Sequence, residues 1–410
     1  MNPGKVARHV VRTPWMNAPA TKRLFAMLQG NIPEDEPQAL FVGGCVRNTV
    51  LDREVEDLDL ATPLTPDEVS EILQNNDVKV IPTGLEHGTV TAIIEGRIFE
   101  ITTLRKDEQT DGRRAVVSYT SSWREDAIRR DFTMNTLLMD IKGNIYDPLG
   151  CGLNDLDARH VVFVGEAKKR IEEDHLRILR FFRFSALYGK GHYDEKGLQA
   201  SQHATNKIEK LSKERITQEF FKIIASDRPY DVLKVMFAHD VLKKIEFPDY
   251  NAEFLEHFCT FQYRYGVNAL SSRLFVTASL NFENIKTMEE YIIFPKVFLK
   301  DMKAINGALN LPDLSCDHAV RESIYRFGRT ITAQALIIEL VQDRVMNGYA
   351  PKAFDIIQNW EIPIFPINGK DLMKAGAKQG PELGKKIQAL EKWWVDQEFK
   401  PDRNMCLEHS

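Results

Sequence analysis

Up to about residue 148 the chain mixes short β-rich runs with helical stretches, and beyond about residue 155 the strand signals nearly vanish. The apolar run Leu40, Phe41, Val42 ends on Gly43 and Gly44 and reads as a buried strand meeting a turn. Residues 88–95 (GTVTAIIE) and 97–104 (RIFEITTL), separated by Gly96, predict a hairpin. Residues 141–146, broken at Gly143-Asn144 and closed by Asp147-Pro148, predict a second, shorter hairpin. Between the two, residues 105–125 (RKDEQTDGRRAVVSYTSSWRE) carry both charge signs around Gly112 and predict a mobile loop leading into a helix. Further on, apolar residues recur at helical spacing over 177–187, 216–225 and 230–237, and later over 333–347 and 381–398. Ser212 with Glu214 and Arg215 marks a helix start. Turns at Pro248, Pro312 and the Pro363/Pro366 pair divide the helical part. The pattern predicts an α/β domain of modest size followed by an all-helical remainder.

At 410 residues the chain exceeds one ordinary core, so two or more domains are expected. No apolar run approaches the ~20 residues needed to span a bilayer, and no membrane contact is expected. The net charge of −5 excludes a generally basic protein, so any RNA contact must come from a local patch. Five cysteines (Cys45, Cys151, Cys259, Cys316, Cys406), odd in number and without CxxC spacing, argue against a disulfide framework or a zinc site. A reducing, cytoplasmic setting fits. Residues 1–33 hold no acid but carry Lys5, Arg8, Arg12, Lys22 and Arg23. Pro14, Pro19 and the lack of a serine-rich stretch speak against a transit peptide, leaving a basic arm or a plain surface extension.

The densest chemistry lies in residues 41–62, FVGGCVRNTVLDREVEDLDLAT. Gly43 and Gly44 let backbone approach a bulky anion, and Arg47 follows within a turn with a planar fork of donors for phosphate. Asp57 and Asp59 bracket Leu58. On a strand, the period of two puts both carboxylates on one face and Leu58 and Leu60 on the other. Two carboxylates facing a phosphate-cradling turn are what two divalent cations need to clamp a triphosphate. A lone DxD is usually a solvated edge; the combination with the GG turn and Arg47 points to a nucleotidyltransferase. A dinucleotide-binding oxidoreductase is disfavoured, because GGCVRN does not continue into GxGxxG with a downstream acid.

Two later segments extend the reading. In RRDFTMN (129–135), a surface salt bridge is the ordinary fate of such a triplet. The functional alternative puts Arg130 on the triphosphate, Asp131 near the metals or orienting Arg130, and Asn135 on a ribose hydroxyl. Glu100, on the predicted strand 98–104, competes with the preferred Asp131 for the third carboxylate. In EDHLRILRFFRF (173–184), Asp174, Arg177 and Arg180 share one broad side of a helix that is otherwise apolar all round. Buried charge demands partners or a polar cleft, and an internal acid–arginine pair is an equal alternative for Arg183. Cytosine and adenine each present an amino donor beside a ring-nitrogen acceptor. Asp174 would accept from the amine while Arg177 donates to the ring nitrogen, and uracil and guanine would leave both groups mispaired.

In this order GGCVRN…DLDLAT, RRDFTMN, DPLG, EDHLRILRFFRF and LSKERI resemble the class II CCA-adding enzymes (tRNA nucleotidyltransferases) and the similar bacterial poly(A) polymerases. The resemblance covers about residues 40–225 and continues loosely to 367–387. It implies a small, mainly antiparallel α/β head (1–150), then a helical neck (151–228), body (229–335) and tail (336–410). It further implies Mg²⁺ on Asp57 and Asp59, Gly44, Arg47 and Arg130 on nucleotide phosphate and sugar, and Asp174 and Arg177 as base reader with Arg180 and Arg183 in support. The implied substrates are CTP, ATP and the tRNA 3′ end, with no protein partner. Poly(A) polymerase, CC-only and A-only addition are the enzymatic rivals, and a silent RNA-binding protein on the same fold the non-enzymatic one. The loop 105–114 favours the full CCA reaction. Two departures stand out: Asn48, where most members carry aspartate, and one extra residue in DPLGCGLNDL.

Overall fold

The structure, a computed structural model, describes residues 2–11, 13–81, 88–111 and 114–410, and for 107–117 the backbone only where described. It divides into two compact units, Met1–Glu246 and Phe247–Ser410. The first holds an eight-stranded sheet in the order β1-β10-β9-β2-β3-β6-β5-β4. These strands are Val6–His9 (β1), Leu40–Val42 (β2), Asp59–Thr62 (β3), Lys79–Ile81 (β4), Thr89–Ile94 (β5), Arg97–Thr103 (β6), Leu138–Met139 (β9) and Asn144–Tyr146 (β10). A separate ribbon pairs Arg105–Asp111 (β7) with Arg114–Tyr119 (β8). Pairing is antiparallel except between β3 and β6, which run parallel with Asp59 opposite Glu100.

Each element follows from local chemistry. All three residues of β2 are buried, as expected of a central strand without alternation. Glu95 and Gly96, both at positive φ (51° and 78°), make the β5–β6 turn whose twist matches the flanking strands. Past β2, Gly43 (φ 70°) turns the chain into the helix Gly44–Val50 (α1). Ser122 caps the helix Trp123–Ile128 (α2), accepting from Glu125 N at 3.3 Å.

Three expectations are corrected within this unit. The stretch 105–125 is paired ribbon up to Tyr119, because a backbone ladder supplies its hydrogen bonds whatever the side-chain polarity; Gly112 itself lies outside the described residues. The short hairpin uses Leu138–Met139 as its first strand, and Asp140 closes the turn by accepting from Lys142 N (2.8 Å) and Asn144 N (2.9 Å). Residues 1–33 are no surface extension: β1 edges the sheet, and Met16, Leu24 and Leu28 are buried. The rings of Trp15 and Phe25 lie 4.8 and 4.7 Å from that of Phe41, so this segment covers β2.

The helices Ala167–Glu173 (α3), Arg177–Tyr188 (α4), Glu195–His203 (α5) and Lys213–Ile224 (α6) complete the site-bearing unit. EDHLRILRFFRF is not one helix. Asp174 is extended (φ −149°, ψ 108°) between α3 and α4, and its Oδ1 accepts from Leu176 N at 3.1 Å, replacing a helical bond with a side-chain one.

Among its described residues the second unit is helical. At its centre Arg329–Val341 is buried continuously from Ile331 to Leu340, packed by Ala252–Tyr265, Lys296–Leu309, Asp317–Phe327 and Ala350–Asn359. The expected body–tail boundary at 335/336 therefore falls inside a core helix, where no division can lie. Leu372, Leu390, Trp394 and Cys406 form a separate apolar cluster near the C-terminus.

Candidate active site

Asp59 opens β3, and Asp57 lies two residues ahead of it in extended chain. Leu58 and Leu60 are buried, as the alternation requires. Asp57, Asp59 and Glu100 line one cavity of about 620 Å³, together with Trp15, Val55 and Ile98. Burial pushes the Asp59 carboxyl up to about 6; Glu100 and Asp57 add to the shift, and Arg130 and Arg47 oppose it. A Cβ built on Gly43 would lie 3.9 Å from Arg130 Nη1 and 4.0 Å from Asp59 Oδ2, so turn, cation and carboxylate converge at one point.

The raised value has a thermal consequence. For a carboxyl raised in the folded state, ionisation opposes folding: the penalty is absent below the ordinary value of about 4 and complete above about 6. Asp59→Asn is expected to raise the thermal midpoint of the metal-free protein at pH 8, the advantage fading as pH falls through 6. Equal midpoints at every pH would contradict the crowding.

Arg130 and Arg129 are both held by Asp126, which the sequence reading missed. Arg130 Nε and Nη2 donate to Asp126 Oδ2 (3.0 and 2.8 Å), and Arg129 Nε to Oδ1 (2.8 Å). Asp126 is 2% exposed; burial alone would raise its carboxyl, but Arg130 and Arg129 outweigh that and hold it below the usual range. Deleting one partner of such a pair costs about 3–5 kcal/mol, so both cations are well fixed. The signal was available, since Asp126 stands one helical turn before both arginines.

Arg47 is 7% exposed, and burial draws its guanidinium below the ordinary value. Its hydrogen-bond acceptors among the described residues are neutral: Asn135 Oδ1 (2.6 Å), Tyr188 Oη (2.7 Å) and Asn48 Oδ1 (3.4 Å), with the Tyr188 ring 4.3 Å from Cζ. Nε has no acceptor among the described residues. Asn48 therefore still serves Arg47 through its amide oxygen, without adding a carboxylate.

Asn135 Nδ2 donates to Asp131 Oδ1 at 2.9 Å, and Arg180 Nε and Nη2 donate to Asp131 Oδ2. Burial would raise Asp131, but Arg180 outweighs it and keeps the carboxyl low. Glu219, on α6, accepts from Arg183 and lies 3.7 Å from Arg180 Nη1. The structure thus places Asp131, Asn135, Arg180 and Arg183 in one buried network behind Arg47, while Glu100 stands beside Asp59. Glu219 and Tyr188 were not legible as site residues, because their partners lie 36 and 141 positions away.

Asp174 and Arg177 do not bond each other. Asp174 Oδ2 accepts from Arg215 Nη2 on α6 at 2.7 Å. Arg177 Nη1 donates to Glu173 Oε2 (2.6 Å) and Arg170 O (2.8 Å), and Nη2 to Arg129 O (3.2 Å). Neither lines the carboxylate cavity; Arg177 reaches it through Arg129, Asp126 and Arg130. A carboxylate has about four acceptor positions and a guanidinium five donors, so both keep capacity for a base.

An antiparallel head with two carboxylates and fixed arginines around a glycine turn, followed by helices, defines a nucleotidyltransferase. The family model described as "Poly A polymerase head domain" matches residues 39–162, and "Probable RNA and SrmB- binding site of polymerase A" matches 193–254. The chain is 31% identical to the mitochondrial CCA tRNA nucleotidyltransferase 1 of Danio rerio over 382 residues, covering 89% of this chain and 85% of that one. It is 32% identical to the CCA-adding enzyme of Lactococcus lactis subsp. cremoris (strain SK11), covering 92% of each. The crystal structure of the Bacillus stearothermophilus CCA-adding enzyme in complex with CTP shares the fold, with a TM-score of 0.74 at 24% identity over 94% of each chain. The chain belongs to the CCA tRNA nucleotidyltransferase family.

Proposed function

We propose that this chain adds C, C and A in turn to the 3′ end of tRNA, from CTP and ATP, without a nucleic-acid template. The 3′-hydroxyl oxygen gives up its proton to water and attacks the α-phosphorus, the α–β phosphoanhydride bond breaks, and pyrophosphate leaves with its electron pair. The observation that carries the reading is the convergence of Asp59, Arg130 and the Gly43 turn at one point. Gly43, Gly44, Arg47 and Arg130 cradle the triphosphate. Asn135 and Asp131 position Arg47 and Arg180, and we assign the third carboxylate at the cavity to Glu100.

Asp57 and Asp59 would hold Mg²⁺, which when bound supplies Lewis acidity at the reacting oxygens. The donor set fits: the like charges around Asp59 are what a cation relieves. Among the described residues no cluster of three His, Cys, Asp or Glu groups stands ready for a metal. Mg²⁺ takes one or two carboxylates and completes its shell from phosphate and water.

Asp174 accepts from the amino group of cytosine or adenine, held in place by Arg215, while Arg177 donates to the ring nitrogen. Among the described residues no helix is long and apolar enough to cross a membrane. The five free cysteines suit a reducing cytoplasm. The test offers purified protein three tRNAs, ending before CCA, after C and after CC, with each nucleotide singly. With CTP alone the first tRNA should gain two C and the second one C, and with ATP alone the third should gain A. Poly(A) tails, or extension of only some of the three, would overturn the full CCA assignment.

A further inference from the structure

A cavity of about 960 Å³ lies away from the carboxylates, between α3 and α5. Its volume falls within the roughly 300–1,000 Å³ of small-ligand sites. Phe163, Ala167 and Ile171 provide an apolar wall, and Ala200 and Ala204 face them from the α5 side. Phe163 is braced from behind by Phe181, its ring stacked at 5.5 Å.

Three lysines stand among three acids on the rim. Lys168, Lys196 and Lys207 line the cavity, and none makes an ion pair among the described residues. Of the acids there, Glu166 pairs with Lys169 and Asp194 caps α5 through Gly197 N (2.7 Å), leaving Glu172. Two histidines also line it. His175 Nδ1 lies 2.8 Å from Ile171 O and His203 Nδ1 2.6 Å from Gln199 O; a carbonyl can only accept, so each Nδ1 carries its proton and each Nε2 is left for a ligand.

A cavity with an apolar wall and lysines around its mouth matches a nucleotide unit of single-stranded RNA: the base lies against the wall and the phosphates meet the lysines. The α5 side of the cavity falls inside the segment 193–254 that matches the probable RNA-binding family model. The opposite side shares backbone with the base reader, since His175 lines the cavity and the preceding Asp174 pairs with Arg215.

We propose that this cavity is a second RNA subsite, which takes one unpaired nucleotide of the tRNA 3′ strand outside the carboxylate site. The inference rests on the tRNA-extending reading above. Its test is the KM for a tRNA lacking its last three nucleotides, with Lys196→Ala/Lys207→Ala and, separately, Ala200→Trp, which crowds the cavity. Each is expected to raise the tRNA KM about tenfold. The CTP KM and kcat at saturating tRNA stay unchanged, and Lys196→Arg/Lys207→Arg restores the tRNA KM. The alanine pair should also flatten the salt dependence of tRNA binding by roughly 0.7 per lysine in log–log slope. A minihelix with a flush 3′ end should bind wild type and variants alike. Unchanged tRNA KM in the folded lysine variant, whether the cavity is idle or takes a protein, overturns the subsite. A wild-type protein that extends no tRNA would instead refute the proposed reaction.

Discussion

Asp59→Ala is expected to lower nucleotide incorporation about 10³-fold or more, since the substitution removes several kcal/mol of charge stabilisation from the transition state. Binding of tRNA, carried by phosphate contacts elsewhere, should stay within about twofold. Asp57→Ala should behave in the same way. The comparison of Glu100→Gln with Asp131→Asn separates two kinds of carboxylate. Glu100 is exposed at the cavity beside Asp59, so its loss should lower kcat without lowering the thermal midpoint. Asp131 is buried against Arg180 and Asn135, so its neutralisation should lower stability, by about 3–5 kcal/mol if the pair breaks completely, and the midpoint with it. Single-turnover extension and calorimetry on the four variants check this. Normal turnover by Asp59→Ala would remove the carboxylates from the chemistry.

Exchanging Asp174 and Arg177 should move nucleotide choice from CTP and ATP towards UTP and GTP. A site built to hydrogen-bond one donor–acceptor order leaves buried groups unpaired with the other, a penalty of about 1–3 kcal/mol per group. Arg215 bears on the outcome, because it sits 2.7 Å from Asp174 Oδ2 and would face an arginine after the exchange. The exchange combined with Arg215→Ala should therefore shift preference more cleanly than the exchange alone. Competition of all four nucleotides on a tRNA lacking CCA measures the ratio, and an unchanged preference would refute the base-reading role.

Much of this site was legible because its logic is local. Gly43, Gly44 and Arg47 lie on one turn, Asp57 and Asp59 on one strand edge, and the β5–β6 hairpin announces itself through Gly96. What escaped reading depends on distant partners or on backbone pairing. Asp131 reads as an active-site carboxylate in the sequence because the arginine that occupies it, Arg180, lies 49 residues on. Asp174 seemed to continue a helix, but its side chain bonds Leu176 N and its backbone extends. The ribbon β7–β8 looked like a loop because its polarity hides a period that only the partner strand makes useful. The N-terminal segment reads as superficial because its basic residues are interspersed with Met16, Leu24 and Leu28, whose burial depends on the sheet they cover.

The most direct test is a crystal structure with CTP and Mg²⁺. The cytosine amino group should lie within hydrogen-bond distance of Asp174 and N3 within reach of Arg177, with Mg²⁺ between the triphosphate and Asp57 and Asp59. A triphosphate bound away from those aspartates, or a cytosine out of reach of both Asp174 and Arg177, would contradict the account.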